Sequence, residues 1–279
     1  MTGNVAMIPY VNMAPYRMLG PPDGCRFVPF VPRASISALL SGEVVAAAVP
    51  VGGLSALEGV VETVGNFGIA AEGECMSVLF FSRIPFEEFT APYTLRITGD
   101  TASSVRLLYL LFGHTQGFDR LPWRAAEGQT PDGELLIGDR ALVKGQTTAD
   151  DQTLFVTDLS ERWSDIQGLP FVFARWVVRK DAPDAVKFSI SRWLDKFKKN
   201  EPELIEKAVL ESSKALDLST DFIRRYFQVI RRSLDDRDLE GQKRFFTLFE
   251  RFARSPLFGG SLENTQVLSE KNRMGLEVG

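Results

Sequence analysis

Residues 39–50 read LLSGEVVAAAVP, and this stretch decides the fold. Its second half is a continuous apolar run, 44–49, that ends at a proline. A short apolar run without polar alternation is typical of a strand that is buried on both faces, as in a parallel sheet. Gly42 stands just before the run and is expected to end a short helix over 35–41.

The chain on the N-terminal side of this strand repeats the pattern. Apolar runs at 5–9 and 26–31 predict two earlier strands. Between them, residues 10–19 suit a loop that enters a helix. Strands and helices that alternate in this way favour an open, mostly parallel sheet with helices packed on its faces.

The chain on the C-terminal side predicts a second group of strands. Apolar runs at 76–81, 93–98 and 135–137 are followed by a strongly apolar run at 169–178, which we expect to return the chain to the first sheet. From residue 186 onward, aromatic and aliphatic residues recur at helical spacing. Such a pattern is more typical of core packing than of a ligand site.

These elements predict an α/β protein with two open-sheet domains and a cleft between them. The first domain is expected to be discontinuous, 1–90 plus 177–279, and the second domain, 91–176, to be inserted into it. Clefts at domain interfaces are the usual location of small-ligand sites. Loops at the strand ends should then supply the ligand contacts.

The composition argues against several classes of protein. The 279 residues are 44% hydrophobic and 24% charged with a net charge of −4, which gives no electrostatic reason to expect nucleic-acid binding. Two cysteines, Cys25 and Cys75, and one histidine, His114, show no zinc-ligand spacing, so we expect neither a metal nor a cofactor. The sequence contains no basic leader and no long apolar segment, so we expect a soluble, cytoplasmic protein that does not bind membranes.

The most informative polar segment is GDTASSV at 99–105, a turn that opens an apolar helix. Helix N-termini carry unpaired N–H groups and the positive end of the helix dipole, so they bind carboxylates and phosphates. Hydroxyl donors from Thr101, Ser103 and Ser104 would add to such a site. On this segment alone, simple N-capping by Asp100, Thr101 or Ser103 is the favoured alternative.

Further polar residues lie at strand ends. Asn12 is in the loop IPYVNMAP (8–15), where its amide faces the cleft or simply forms a turn. Ser77 begins a strand, a position at which a hydroxyl usually makes only a local hydrogen bond. Asp139 follows a buried strand and is a site carboxylate, a partner of the adjacent arginine or a cap of the next turn. Asp158, with a glutamate three residues later, is interpreted as a structural helix cap.

Six stretches together resemble the MqnA/MqnD family of the futalosine route to menaquinone, and its chorismate dehydratase branch in particular. They occur in the family's order and span most of residues 5–180. They are IPYVNMAP (8–15), LLSGEVVAAAVP (39–50), FGIAAEGECMSVLFFSRIP (67–85), TASSVRLL (101–108), LLIGDRAL (135–142) and DLSERWSDIQGLPFVFARWVVR (158–179). The IGDRAL segment and the tryptophan-flanked GLPFVFA segment are the most specific.

The resemblance implies a fold like that of type II periplasmic binding proteins. It also implies a hydro-lyase that dehydrates chorismate to 3-[(1-carboxyvinyl)oxy]benzoate. The family's site positions correspond to Asn12, Ser77 and the Ser103-Ser104 pair, with Asp139 nearby. Such a site suits a small anionic substrate, because two carboxylates need several preorganised donors. Asn12 is the residue expected to serve the chemistry.

Two loops depart from the family pattern. Pro32-Arg33 stands where the family has a proline-serine pair, and Val51-Gly52-Gly53-Leu54 stands where it has a serine and an acidic-aromatic stretch. Both loops are expected to border the cleft. Arg33 is therefore expected to add a cation for a substrate carboxylate, unless it points outward.

Two alternatives to the dehydratase follow from these observations. One is a non-catalytic binding protein or sensor for a small carboxylate, since a binding-protein fold supports binding as readily as chemistry. The other is a related lyase that acts on a different cyclic acid, which the altered loops would allow.

Overall fold

The computed structural model of this chain describes residues 3–97 and 102–253. Its strands are β1 (Gly3–Met7), β2 (Cys25–Pro29), β3 (Ala46–Pro50), β4 (Val61–Ala71), β5 (Val78–Ser82), β6 (Thr94–Ile97), β7 (Trp123–Arg124), β8 (Gly133–Ile137), β9 (Phe155–Asp158), β10 (Phe171–Arg179) and β11 (Arg231–Ser233). Its α-helices are α1 (Ala14–Leu19), α2 (Pro32–Ser41), α3 (Ser103–Gln116), α4 (Asp139–Thr147), α5 (Leu159–Gln167), α6 (Asp184–Leu216), α7 (Thr220–Val229) and α8 (Asp236–Ala253).

The first sheet has the strand order β11-β4-β10-β3-β1-β2. All five residues of β3 are buried, which confirms the strand predicted from the apolar run. β1 pairs in parallel with both β2 and β3. β10 runs antiparallel to β3 and β4, so the expectation of a mostly parallel sheet is wrong for this half. The reason is the route of the chain, because β10 enters the sheet from the side at which β3 leaves it.

The second sheet has the order β7-β6-β8-β5-β9 and is also mixed. β5 belongs to it, so the chain leaves the first sheet between β4 and β5, at residues 72–77. It returns between α5 and β10, at residues 168–170. The strands of the two sheets therefore place both crossings earlier in the chain than the domain bounds 1–90, 91–176 and 177–279 expected from the sequence. We propose the same discontinuous arrangement with its boundaries moved to these two crossings.

Aromatic side chains fill the interior of both domains. In the first domain, Tyr16 stacks on Phe197 with ring centroids 3.9 Å apart and lies 5.6 Å from Trp193. In the second domain, Phe80 meets Phe89 edge to face at 4.9 Å. The aromatic residues at helical spacing after residue 186 thus include core residues, as expected. Each buried ring stabilises the fold by about 2–3 kcal/mol, so the strand ends beside the cleft have firm support.

The helices of the C-terminal part cover the first sheet. α6 is 33 residues long and packs against α1 and α7. Within residues 3–97 and 102–253, none of the helices has the length and apolar character that a membrane crossing requires.

Candidate functional site

A cavity lies between the two domains, at the ends of β1, β3 and β8 and at the beginnings of β5 and α3. Its volume is about 70 Å³. That is room for a handful of water molecules, at about 10–15 Å³ for each. The described residues that line it come from both domains: Ile8, Tyr10, Asn12, Met13, Pro32, Pro50, Ile69, Ser77, Val78, Ala102, Ser103, Ser104, Ile137, Gly138, Phe173, Ala174 and Ile230.

The lining is apolar with a few polar side chains. Asn12, Ser77, Ser103 and Ser104 contribute amide and hydroxyl groups, and Tyr10 contributes a phenol. None of the lining residues that the structure describes is charged. An anionic ligand would therefore be held by neutral donors and helix dipoles rather than by ion pairs.

Asn12 lies on a short 3-10 helix, Val11–Met13, that begins soon after β1 ends. Its Oδ1 atom is buried and finds no hydrogen-bond donor among the described residues. An unpaired buried acceptor costs about 1–3 kcal/mol, so this atom in the cavity wall is available to a donor from a ligand or water.

The N-terminus of α3 borders the same cavity through Ala102, Ser103 and Ser104. Ala102 is the N-cap residue, and it makes no side-chain cap hydrogen bond. Ser103, one of the three residues that the sequence favoured as a cap, is therefore the first residue of the helix and not its cap. Thr101, the third expected hydroxyl donor, lies outside the described residues, as does Asp100. The first N–H groups of a helix have no partner within the helix, so this terminus suits a carboxylate.

Ser103 joins the two domains. Its Oγ accepts a hydrogen bond of 3.0 Å from the N–H of Gly52 and donates one of 3.0 Å to the carbonyl of Phe173. A side chain at Gly52 would place its Cβ only 2.8 Å from the carbonyl oxygen of Ala102. The glycine at this departure from the family pattern thus allows the loop after β3 to touch the beginning of α3.

Ser77 lies in the crossing just before β5 and is buried. Its Oγ accepts a 3.1 Å hydrogen bond from the phenol of Tyr226 on α7. Complete burial raises the pKa of Tyr226 above its ordinary value, so the phenol remains a neutral donor. Tyr226 is one of the residues at helical spacing after residue 186, a pattern that predicts core packing, and no local signal connects it with a serine so distant in the sequence.

Asp139 does not line the cavity, although the adjacent Gly138 does. Its Oδ1 instead accepts a 2.8 Å hydrogen bond from the N–H of Val11, which belongs to the other domain. Burial raises the pKa of Asp139, while the Val11 N–H and nearby Arg17 partly offset that effect. Of the three roles that the sequence suggested, capping fits these contacts, but the capped element is the 3-10 helix that carries Asn12.

Arg33 is exposed, and it is not among the described residues that line the cavity. The expectation that it adds a cation for the substrate finds no support in this placement. The reason is local, because α2 begins at Pro32, and the turn of the helix directs the next residue away from the cavity.

Comparisons with known proteins fit this geometry. The family described as menaquinone biosynthesis matches residues 4–251 of the chain. The chain belongs to the menaquinone biosynthesis family. The resemblance found in the sequence is thereby confirmed. A relative from Thermus thermophilus, named chorismate dehydratase, is 32% identical over 201 residues, and the match covers 62% of this chain and 69% of the relative.

Solved structures similar to this member of the menaquinone biosynthesis family show its fold. A protein from Archaeoglobus fulgidus matches with a TM-score of 0.66 and 17% identity over 90% of this chain and 98% of that one. A Candida albicans protein described as having the generic periplasmic binding protein fold has a TM-score of 0.62 and 13% identity over 98% and 95%. An alkanesulfonate-binding protein from Xanthomonas axonopodis pv. citri, solved with MOPS bound, has a TM-score of 0.64 and 10% identity over 97% of each chain. The expected α/β fold of the periplasmic-binding-protein type is confirmed.

Proposed function

We propose that this protein is a lyase that converts chorismate to 3-[(1-carboxyvinyl)oxy]benzoate and water. The observation that carries the proposal is the unpaired amide oxygen of Asn12 in an interdomain cavity that the N-terminus of α3 also borders. The 32% identity to a chorismate dehydratase supports it.

The reaction removes a ring hydrogen from the carbon that bears the ether and expels the neighbouring hydroxyl. The two leave as water, and the ring becomes aromatic. Aromatisation supplies a large driving force, so the protein has mainly to position the substrate and exclude bulk water. A neutral lining without a strong base suits such a reaction.

We assign to Asn12 the hydrogen bond to the departing hydroxyl group of the substrate. An amide does not act as a base at neutral pH, so its contribution is an oriented hydrogen bond to the leaving oxygen or its proton. The N-terminus of α3, with Ser104, is assigned a substrate carboxylate. The side-chain carboxylate of the substrate itself accepts the ring proton and passes it to the departing hydroxyl oxygen, so that the two leave as water. Ser103 is assigned to the interdomain contact, since its hydroxyl already bonds Gly52 and Phe173.

We infer that the domains separate when the substrate enters. A ring with two carboxylate groups is larger than the few water molecules that the present cavity holds. The crossings at 72–77 and 168–170 are the places where such a motion would bend the chain.

Incubation with chorismate tests the proposal. The ultraviolet spectrum should lose the cyclohexadiene absorption of chorismate and gain that of a substituted benzoate, and mass spectrometry should show loss of one water. The Asn12→Ala variant is the control for contaminating activity. Turnover no faster than the spontaneous decay of chorismate, with protein that is fully folded, would overturn the assignment.

Binding without chemistry is the second candidate. It is favoured by one observation, namely that the described lining contains no histidine, lysine or carboxylate that could move a proton. Calorimetric titration with chorismate distinguishes the two. Tight binding that leaves the chorismate spectrum unchanged over many hours would favour the binding protein, and turnover of another cyclic acid alone would favour a related lyase.

A further inference from the structure

The loop that carries Asn12 is held from two sides. From its own domain, Arg17 donates hydrogen bonds from Nη1 to the carbonyls of Tyr10, at 2.9 Å, and Ile8, at 3.3 Å. From the other domain, Asp139 accepts the N–H of Val11 at 2.8 Å. The backbone just before Asn12 is thus fixed, while the amide oxygen of Asn12 itself stays unpaired within the described chain.

The contact from the second domain is built closely. Gly138 has φ +62°, and a Cβ there would lie 2.7 Å from the ring of Tyr10. Only a glycine therefore lets the end of β8 lie against the loop. Asp139 begins α4 in the second domain, and its hydrogen bond to Val11 joins the two domains.

We propose that Asp139 is an interdomain latch, a positioning residue that fixes Asn12 in its working place only when the cleft is closed. Its effect on turnover rests on the proposed function. The latch itself does not, because the hydrogen bond joins two parts of the protein and no ligand.

As a latch, Asp139 needs an oxygen atom that accepts the hydrogen bond from Val11. It does not need a negative charge that acts on the ligand. A carboxylate aimed at a dianionic substrate would repel it, whereas one turned to a backbone N–H at the beginning of a 3-10 helix is favourable. An asparagine has the same shape and keeps one oxygen acceptor. If Asp139 is a latch, Asp139→Asn should keep its function and Asp139→Ala should lose it. If Asp139 instead bound the ligand through its charge, both variants should lose that function.

Steady-state kinetics with chorismate measure the first consequence. Asp139→Ala should lower kcat on the order of ten- to a hundredfold through misplacement of Asn12, and Asp139→Asn should restore most of that loss. The double variant Asn12→Ala/Asp139→Ala should turn over no more slowly than Asn12→Ala alone, because both changes remove the same interaction. Equal losses in Asp139→Asn and Asp139→Ala would overturn the latch and assign the charge itself to the site.

Asp132→Ala is the matched control. Asp132 also accepts backbone and side-chain donors, from the N–H of Thr94 at 2.7 Å and its hydroxyl at 2.9 Å, but both partners lie in the second domain. The Asp132→Ala variant should have a lower melting temperature and an unchanged kcat.

Hydrogen exchange of the Val11 amide tests the latch without any substrate. Exchange should become faster by about tenfold or more in Asp139→Ala and remain near wild type in Asp139→Asn. Unchanged exchange in Asp139→Ala would reject the latch. If wild-type protein fails to convert chorismate but Val11 responds as expected, the proposed function fails and the latch stands.

Discussion

Two asparagines near β1 are used in different ways. Asn4 has both groups of its amide paired, because Nδ2 donates to the carbonyl of Glu43 and Oδ1 accepts from Arg26, each at 2.8 Å. Asn12 has a buried oxygen with no partner in the described structure. The same residue type thus serves the fold at one end of the strand and is kept for a ligand at the other.

Replacement of Asn12 should separate these roles. Asn12→Ala should keep nearly the wild-type melting temperature but lose about a hundredfold or more in kcat, because a hydrogen-bond donor aimed at developing charge is worth that much. Asn12→Asp should bind chorismate less well still, since it places a negative charge beside a dianion. Asn4→Ala is the matched control and should cost about 1 kcal/mol of stability with normal turnover. A much lower melting temperature with normal turnover per folded molecule in Asn12→Ala would make Asn12 a turn-former.

Asp139 should also set a pH dependence of stability. Burial raises its pKa in the folded protein, so the folded state binds this proton more tightly than the unfolded state does. The charged form of Asp139 therefore lowers the stability of the folded protein. This cost is absent at a pH below the ordinary pKa of a carboxyl group and is fully present at a pH above the raised pKa. Arg17 and Tyr226 are ionisable side chains that interact with Asp139, and both keep their protonation state across this range.

Asp139→Asn avoids that cost. It should melt at a higher temperature than wild type at pH 7, and the difference should shrink as the pH falls through the ordinary range of a carboxyl group. Calorimetric melting of both proteins between pH 4 and pH 8, at intervals of about one pH unit, gives the comparison. A difference that is constant over this range, or that grows toward low pH, would contradict the assignment.

At the scale of elements, one carboxylate organises both the first crossing and a helix. Asp158 caps α5 by accepting from the N–H groups of Ser160 and Glu161. It also accepts from the N–H groups of Cys75, at 2.8 Å, and Met76, at 2.7 Å, in the crossing that leads to Ser77. Met76 has φ +59°, the left-handed region, which the two hydrogen bonds hold in place.

Asp158→Ala should therefore be costly. It removes a helix cap, worth about 1 kcal/mol, and leaves two buried N–H groups unpaired, at about 1–3 kcal/mol each. The control is Ser219→Ala, which removes only an exposed cap bond to Phe222 at the beginning of α7 and should cost about 1 kcal/mol. Chemical denaturation measures both, and equal losses would show that the contacts to the crossing contribute nothing.

Elements with a local signal could be predicted, and relations between distant elements could not. The buried run that became β3 and the cap at Asp158 depend on neighbouring residues, and both are found as expected. The direction of β10 depends on which side the chain re-enters from. The outward direction of Arg33 depends on where α2 begins within a turn of helix. The sequence pattern around each of these is compatible with either outcome.

The candidate site divides in the same way. Asn12, Ser77, Ser103 and Ser104 all line one cavity, and the family motifs indicated each of them. Their roles stay predictions. Tyr226 was not indicated as a site residue, because its contact with Ser77 joins helix α7 to a crossing far away in sequence.

At the scale of the whole molecule, closure depends on how near the loop after β3 comes to α3. At Gly52 the approach is close, because an added Cβ would lie 2.8 Å from the carbonyl oxygen of Ala102. Gly52→Ala should hold the domains apart, raise KM and lower kcat, because its Cβ would clash with backbone that cannot rotate away. In small-angle X-ray scattering, the radius of gyration of wild type should fall when chorismate is bound, and that of Gly52→Ala should not.

Gly145→Ala is the control for that substitution. Its Cβ would meet only the end of the flexible Leu79 side chain, at 2.8 Å, and an alanine inside helix α4 favours the helix. It should keep both KM and the ligand-dependent change in size. If both glycine variants compact normally with chorismate, the close approach at Gly52 does not govern closure.

The central place of β10 also sets the order in which a nascent chain can fold. β3 and β4 leave the ribosome early, but the strand that lies between them follows only after the whole second sheet has been synthesised. Until then β3 and β4 each present an unpaired edge, a state that is open to wrong pairing with other chains. The second domain has all of its strands before β10 emerges. The first domain begins first in the sequence but is therefore completed last during translation. The cleft between the domains forms only when the first domain has folded around β10.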